Sequence, residues 1–546
     1  MRIGIDFDNT IVKYDNLFKE VALKEGFIKE NWNGNGKTGL RNHLRSQPNG
    51  EKTWMKVQGL VYGKYMHGAG MMPGVASFLF SCKERNHRVC IISHKTEYGH
   101  YDTEKISLRR EALKWMENKH FFDPEHFNIH KEDVYFADTR EEKVRKIAQL
   151  DCHFFIDDLS EVFEEANFPS DTRKILFGDS NGERLNRDTV VLDSWRKISD
   201  IILGQTIDDD IISWSRWVVD QPIENLQKIL GRGNSRVYRI IVSNGKTYAL
   251  KYYPDRRADN RLRLKNEFQA FQLLHQNNIT NVPKAVEKDE DLNLGLYEWI
   301  EGESFTDPTL DDLNKAIDFV IKLHSFSQAI KKNKIAFASE ACLSAKDLMS
   351  QIERRFSKLK SVRMNYPDLS RFLGTRFEPL WHETREESHS LWPLESREIT
   401  LPKEKQTLSP SDFGFHNCLK GRDGSLTFLD FEYFGWDDPV KLTADFIWHP
   451  AMNLNREQRE KWKTAMVELH SGDPYFEDRL NSAMPLYGLR WAMIVLNEFL
   501  PGYVERRREA GELDSYDSEK SRKTQLNKAK RYCDEVKAMS AQVTFA

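Results

Sequence analysis

Two textures of apolar and polar residues divide the chain. Over residues 1–204, short apolar runs ("RIGIDF", "HRVCIIS", "DVYFAD", "CHFFIDD", "KILFG") alternate with amphipathic stretches such as "EEKVRKIAQL". Apolar runs of strand length separated by 3.6-period segments predict strands alternating with helices. That makes a doubly wound, mostly parallel α/β sheet with its chemistry at the carboxyl ends of the strands. From 212 the pattern changes. "NLQKILGRGNSRVYRIIVSNGKTYALKYY" alternates in the manner of an antiparallel meander, with "SNGK" as a hairpin turn. A helix ("NRLRLKNEFQAFQLLHQ") and a strand ("LGLYEWI") follow, and the rest reads as helices around a compact loop-and-strand region at 408–434. The predicted outline is an α+β bilobal domain, with a β-rich lobe over about 212–300 and a helical lobe over 301–546. The acidic "GQTIDDD" between the two textures predicts a linker at 205–211.

Composition changes this picture little. A chain of 546 residues exceeds one ordinary core. Its 81 Lys and Arg nearly cancel 84 Asp and Glu, which argues against a nucleic-acid or anionic-membrane partner. Six scattered cysteines show neither zinc nor disulfide spacing, and "MRIGIDFDNTIV" fails as a secretory signal, so a cytoplasmic protein is expected. "MPLYGLRWAMIVLNEFL" is interrupted by Arg490 and reads as a buried helix rather than a membrane span.

The chemistry starts with "DFDNT", where a strand ends. Residues i and i+2 of an extended chain face the same side, so Asp6 and Asp8 can reach one phosphate. Asp6 can attack phosphorus to form an aspartyl-phosphate, while Asp8 protonates the leaving oxygen and later activates water. Two carboxylates facing a phosphate need a compensating cation. Asp157 and Asp158, ending "CHFFIDD", can help hold Mg²⁺ through hard oxygen ligands. Ser93, ending "VCIIS", and Lys143, in "KVRKIAQL", can supply a hydroxyl and an ammonium to phosphoryl oxygens. In this order the residues resemble the haloacid dehalogenase superfamily, with "DFDNT" as its first motif, Ser93 its second, Lys143 its third and Asp157–Asp158 its fourth. The resemblance covers roughly 1–204. It implies a Rossmann-type phosphatase domain, Mg²⁺ bound with Asp6 and Asp8 among the ligands, and a small helical cap at about 13–70 that selects the substrate. "NWNGNGKT" inside that cap ends like a phosphate-binding P-loop, but Asn31 stands where the pattern needs glycine, so a Gly- and Asn-rich turn is expected. A role for Lys37 or His43 in gripping substrate phosphate stays open.

A second constellation carries the requirements of phosphoryl transfer from ATP. "LGRGNSRVYRI" can turn through Gly231 and Gly233 and bring Ser235 toward phosphate, although Arg236 replaces the third glycine of the protein-kinase pattern. Lys251 in "YALKYY" is a charge inside a strand that needs a partner, which Glu267 on the next helix can provide. In "SPSDFGFHN", Asp412 can accept the proton of a substrate hydroxyl and Asn417 can bind metal. Asp430 in "LTFLDFEYFGWDDP" is the expected principal Mg²⁺ ligand. This order resembles the aminoglycoside and choline phosphotransferase family of small-molecule kinases with a protein-kinase-like fold, over roughly 212–546. The family usually has His-Gly-Asp where this chain has Pro410-Ser411-Asp412, and Gly414 replaces a common histidine. His416 is expected to orient the loop. Trp299 stands where a hinge to adenine would run, with core packing as the alternative. The basic "RLRLK" and "ERRRE" are expected on solvated helix faces.

The two resemblances together imply a bifunctional phosphatase and kinase for a small molecule. Activation of a sugar for nucleotide-sugar or surface-polysaccharide synthesis is one logic for the fusion. Inactivation of an aminoglycoside-like compound, or a pseudokinase that senses nucleotide and gates the phosphatase, are the other two.

Overall fold

The computed structural model describes residues 1–34, 36–102, 104–178, 188–219, 221–229, 235–254, 261–330, 335–503 and 518–543. The chain folds as two compact units, Met1–Pro222 with Asp289–Leu292, and Ile223–Lys288 with Asn293–Ala546.

In the first unit six strands form one sheet: β1 (Arg2–Ile5), β2 (Arg88–His94), β3 (Val134–Ala137), β4 (Phe154–Asp157), β5 (Arg173–Phe177) and β6 (Thr189–Leu192). Their spatial order is β3-β2-β1-β4-β5-β6, and every neighbouring pair is parallel. The strands are apolar on both sides because helices cover both faces of such a sheet; in β1 Ile3 and Ile5 are fully buried. The order reverses between β1 and β4, which opens a crevice at their carboxyl ends. A pair of two-residue strands, Val12–Lys13 and Gly70–Met71, closes a stem antiparallel. Between them lie helices α1 (Asp15–Lys24), α2 (Gly36–Arg45) and α3 (Gly50–Tyr62). An aromatic cluster joins α1 and α3: Phe18 stacks on Trp54 at 5.2 Å, and Tyr14 meets Tyr62 edge-on at 5.0 Å.

The stretch read as a linker at 205–211 is different in the structure. Thr206 and Asp209 form a reciprocal capping box, and Ile207–Val218 is a helix whose first turn carries Asp208, Asp209 and Asp210. Acids favour the positive end of a helix, so the acidic run starts an element rather than separating two. Its inward face is tied down, with Ser77 donating to Asp210 at 3.1 Å and Ser81 bonded to Ser213 at 2.9 Å.

The second unit begins with a five-stranded sheet of β7 (Ile223–Ile229), β8 (Arg236–Val242), β9 (Thr247–Tyr252), β10 (Ala285–Asp289) and β11 (Leu294–Glu298), ordered β10-β11-β9-β8-β7. Pairing is antiparallel for β7–β8, β8–β9 and β9–β11. The turn at 243–246 uses Gly245 at φ 79°, a left-handed conformation that favours glycine. Arg263–Gln276 is the helix that carries Glu267. The basic residues before Glu267 do not all face solvent: Arg263 is buried, 3.8 Å from the equally buried Glu432. The "ERRRE" run lies outside the described residues.

The helical lobe is built on helices such as Leu310–Ala329, Pro439–Trp448, Arg456–Leu469 and Phe476–Val495. Arg490 sits inside the last of these, paired with Asp445 at 3.0 Å and bonded to Gln351, which is why an apolar helix tolerates it. No helix among the described residues is long and apolar enough to cross a membrane. Two short hairpin-like pairs interrupt the helices. β12 (Thr407–Ser409) pairs with β15 (Gly435–Asp437), and β13 (Cys418–Lys420) with β14 (Leu426–Phe428). All six cysteines are free and buried.

Candidate active sites

In the first unit the carboxyl ends of β1, β2 and β4 bring the predicted residues together. Lys143, on the helix Arg140–Gln149, points its ammonium between Asp6 (2.5 Å) and Asp157 (2.6 Å), and all three side chains are buried. Lys146, one turn away, instead lies over the Tyr135 ring. Asp158 follows Asp157 into the crevice and accepts from Asn9 at 3.2 Å. Ser93 is buried, and its hydroxyl has no hydrogen-bond partner among the described residues.

One oxygen each from Asp6, Asp157 and Asp158 lie within 4.8 Å of one another. Burial pushes the Asp6 carboxyl well up, Lys143 opposes this, and the neighbouring acids add to it. Burial and then Asp157 raise Asp158 to about 7. So many carboxyl groups around one lysine form a donor set of hard oxygens short of positive charge. A divalent cation such as Mg²⁺ fits it.

Asp8 is held by residues that the sequence did not disclose. Lys95 grips both its oxygens, at 2.7 and 3.0 Å, and Tyr14 donates at 2.5 Å. Lys95 had a readable signal: it stands two residues beyond Ser93, the i+2 relation that linked Asp6 to Asp8. Tyr14 comes from the cap stem and could be placed only by the fold. Lys37 of α2 donates to Asn9 at 3.0 Å and to Tyr62 at 3.1 Å, so the P-loop look-alike delivers an ammonium to the rim of the crevice. His43 bonds instead to Gln47, two residues past the end of its helix.

In the second unit the described site is a cavity of about 400 Å³ lined by Ser235, Lys251, Glu267, Trp299, Asn417 and Asp430 among others. Gly231 and Gly233 lie outside the described residues. Lys251 bridges Glu267 (2.7 Å) and Asp430 (2.6 Å). Tyr253 buttresses Glu267 with a 2.5 Å hydrogen bond and is itself bonded to Tyr297. Burial alone would discharge Lys251, but Asp430 and Glu267 outweigh it and hold the ammonium charged. Asp430 has a left-handed backbone, φ 65°, uncommon for a residue with a side chain and a frequent mark of functional sites. Trp299 is half-buried on the cavity wall beside Glu298 and Ile300, with Arg239 over its ring at 4.7 Å, so it is not a core residue.

"DFGFHN" folds by alternation. Phe413 and Phe415 are buried, Phe413 within 4.7 Å of Phe428, and this turns Asp412 and His416 to the other side. His416 Nε2 lies 3.0 Å from Asp412 Oδ1, and Asn417 donates to the Asp412 carbonyl at 3.1 Å, which leaves its own amide oxygen for a metal. With Asp430 that makes a hard-oxygen set that fits Mg²⁺. His449, one residue past the helix Pro439–Trp448, stacks on His416 at 3.7 Å with its Nε2 3.6 Å from Asp412. Burial would raise Asp412, but the His416 hydrogen bond and the surrounding positive groups, Lys441 included, hold it well below the usual carboxylate range. Its carboxylate is therefore ionised at neutral pH. Gly414 has a physical reason: a Cβ there would meet the Met452 sulfur at 2.6 Å and His416 at 2.9 Å. Ser411 takes φ 70° and is held by Lys441, which donates to its hydroxyl at 2.8 Å.

Of the acids beyond Asp430, Glu432 lines the cavity, whereas Asp437 and Asp438 do not. Asp437 is capped by the Cys342 amide and lies near Lys441, Asp438 pairs with Arg479, and both are buried.

No curated protein matches the chain in sequence. Among solved structures, it resembles choline kinase LicA from Streptococcus pneumoniae (15% identity, 60% of this chain and 100% of that one, TM-score 0.38). A gentamicin complex of APH(2")-IIa (16%, 60% and 96%, 0.40) and an ethanolamine kinase from Plasmodium vivax (14%, 61% and 87%, 0.37) are similar to the same degree. Residues 226–474 match the model of the phosphotransferase enzyme family.

Proposed function

We propose that this protein is a bifunctional enzyme, a Mg²⁺-dependent phosphomonoester phosphatase of the haloacid dehalogenase type joined to an ATP-dependent kinase of a small-molecule hydroxyl. The observation that carries the reading is the same in both units: a buried lysine bridging two carboxylates at the mouth of a crevice, Lys143 in one and Lys251 in the other.

In the phosphatase, an Asp6 oxygen attacks phosphorus, the ester P–O bond breaks, and Asp8 gives a proton to the leaving oxygen. Water then attacks the aspartyl-phosphate, loses its proton to Asp8, and frees inorganic phosphate. Lys143 keeps Asp6 oriented, Ser93 donates to a phosphoryl oxygen, and Lys95 with Tyr14 fixes Asp8. When bound among Asp6, Asp8, Asp157 and Asp158, Mg²⁺ supplies charge neutralisation for the phosphoryl group.

In the kinase, Lys251 binds nucleotide phosphates and Trp299 lies along the adenine side of the cavity. Asp412 takes the proton as the acceptor hydroxyl attacks the γ-phosphorus and ADP leaves. Mg²⁺ held by Asn417 and Asp430 would neutralise the phosphates. A cytoplasmic metabolite, sugar-like in bearing several hydroxyls, fits the pairing of the two chemistries. An aminoglycoside-like acceptor is the alternative, and Glu432 on the cavity wall is the acid that would face it.

A ³¹P NMR time course with MgATP and a panel of sugars, amino alcohols and their phosphates tests this. A new ester with ADP that disappears only in Asp412→Asn, and phosphate release that disappears only in Asp6→Asn, is the expected result. If ATP merely changes the rate of Asp6-dependent hydrolysis and no ester forms, the C-terminal unit is a sensor.

A further inference from the structure

A second, smaller cavity of about 140 Å³ opens beside the catalytic loop of the kinase unit. His449 and Met452 belong to its wall and to the loop's surroundings alike: Met452 accepts from the Phe415 amide through sulfur at 3.1 Å, and His449 faces Asp412. His449 Nδ1 accepts from the Ala451 amide at 3.3 Å, so its proton sits on Nε2, toward Asp412. The opposite wall is one face of the helix Ser518–Val543, with Lys528, Arg531 and Tyr532 at helical spacing. Arg459 completes it.

The charge there is one-sided. Glu535 is the acid of the lining, and it faces Arg459 at 3.4 Å. Lys528 and Arg531 have no ion-pair partner among the described residues; burial and then His416 lower His449 to about 4, and Lys528 adds to them. Tyr532 spends its hydroxyl on the Trp448 carbonyl at 2.9 Å. The volume is below the few hundred Å³ typical of a whole-ligand site, yet it is ample for one anionic group at the end of a larger molecule. Two cations without carboxylates, next to the proton acceptor, suit such a group.

Resting on the kinase reading of Asp412, we propose that the acceptor of this kinase is itself an anion, a phosphate monoester or carboxylate, whose charged end docks on Lys528 and Arg531 while its hydroxyl reaches Asp412 past His449. The kinase then acts on a compound that already bears a negative group, and a phosphorylated acceptor is of the same chemical class as the substrate of the proposed phosphatase.

The test uses the full chain, wild type against Lys528→Glu, Arg531→Glu and the conservative Lys528→Arg. Inorganic phosphate, titrated by calorimetry in the presence of MgADP, is the binding probe. ATP-dependent transfer is measured with matched acceptors bearing a phosphate, a carboxylate or neither. The expected result is that a charged acceptor is preferred and that its KM rises about tenfold or more in either Glu variant, with KM for ATP unchanged and Lys528→Arg near wild type. Phosphate should compete with the acceptor and bind about tenfold more weakly to the Glu variants. A neutral or cationic acceptor that reacts equally well in all four proteins overturns the proposal. So does phosphate that binds at Lys528 without competing with the acceptor, since the cavity would then be a site for free phosphate. If no acceptor reacts, the kinase reading fails by that result. The titration still decides the cavity, and equal phosphate affinity in wild type and Glu variants eliminates it.

Discussion

The two lysines look interchangeable on paper and are not. Lys143 sits between Asp6 and Asp157, and all three groups are removed from water; Lys251 sits between Glu267 and Asp430, but the Asp430 side chain keeps about a third of its surface exposed (32%). The first lysine holds together a nest of acids clustered by parallel strand ends. The second joins a helix of one lobe to a loop of the other. A parallel sheet concentrates like charges at one edge, so its lysine is needed to fold as well as to react. A bilobal site spreads its acids over separate elements, and its lysine is needed chiefly for chemistry.

The largest effects separate the two activities. Asp6→Asn should cut phosphomonoester hydrolysis by about 10³-fold or more and leave ATP-dependent transfer within about twofold, and Asp412→Asn should do the reverse. Parallel steady-state assays on both substrates check this. Loss of both activities in either variant would mean that the sites are not independent.

Removing each lysine sharpens the contrast. Lys143→Met leaves Asp6 and Asp157 buried without a cation and should destabilise the first unit by about 3–5 kcal/mol, with Mg²⁺ restoring part of it. Lys251→Met should lower transfer by about 100-fold and destabilise its unit less than Lys143→Met does the first, because Asp430 can turn to water and Tyr253 still donates to the buried Glu267. Calorimetric melts with and without Mg²⁺ tell these apart. Equal melting losses in the two variants would remove the distinction.

Much of this was legible before any fold was known. Asp6 and Asp8, Asp157 and Asp158, and Asp412 with Asn417 are local in sequence, and strand ends or a single loop fix their relations. Lys143 and Glu267 were readable one step further, as charges on helices next to strands that needed them. What was missed comes from non-local packing. Tyr14 reaches Asp8 because the cap closes on its stem, and His449 reaches Asp412 across 37 positions of sequence. Arg263 was misread as solvated because its partner Glu432 lies far along the chain. The acidic run at 207–210 was misread for the opposite reason: its meaning was local, a capped helix start, and composition was weighed above position.

One buried group in each unit should respond to acid in the opposite sense to the other. His470 is buried against His324, and burial, followed by nearby positive groups, lowers it to about 3. A depressed histidine contributes stability above its unfolded value near 6.5 and loses it as pH falls toward 3, so from pH 7 to 5 this group by itself should withdraw about 2 kcal/mol from the second unit. Asp210 in the first unit is raised by burial to about 6. A raised carboxyl contributes stability at low pH and loses it as pH rises through 6, so the same acid step should favour the first unit by about 1 kcal/mol. Melting at pH 7 and 5 with His470→Gln and Asp210→Asn isolates the two contributions; transitions that shift together in both variants would contradict the assignment.

The smallest expected effect bears on how the second site departs from the family it resembles. Where the resembled family usually has glycine, just before the residue aligned with Asp412, Ser411 takes φ 70°, which costs an L-residue about 1 kcal/mol. Its hydroxyl accepts from the buried Lys441 and donates to the Ser339 carbonyl. Lys441 keeps Asp445 at 3.2 Å and Asp437 at 3.5 Å without it, so Ser411→Gly relieves the backbone at small electrostatic loss. The variant should melt within about 1 kcal/mol of wild type, and no lower, while the KM for acceptor rises a fewfold as Asp412 gains freedom. Ser411→Ala keeps the strained backbone and loses the hydroxyl, so it should be the less stable of the two. If Ser411→Gly is the less stable, the lysine–serine contact rather than backbone strain governs this turn. The serine would then be a structural bracket for the loop that presents Asp412, a part played by nothing comparable around Asp6.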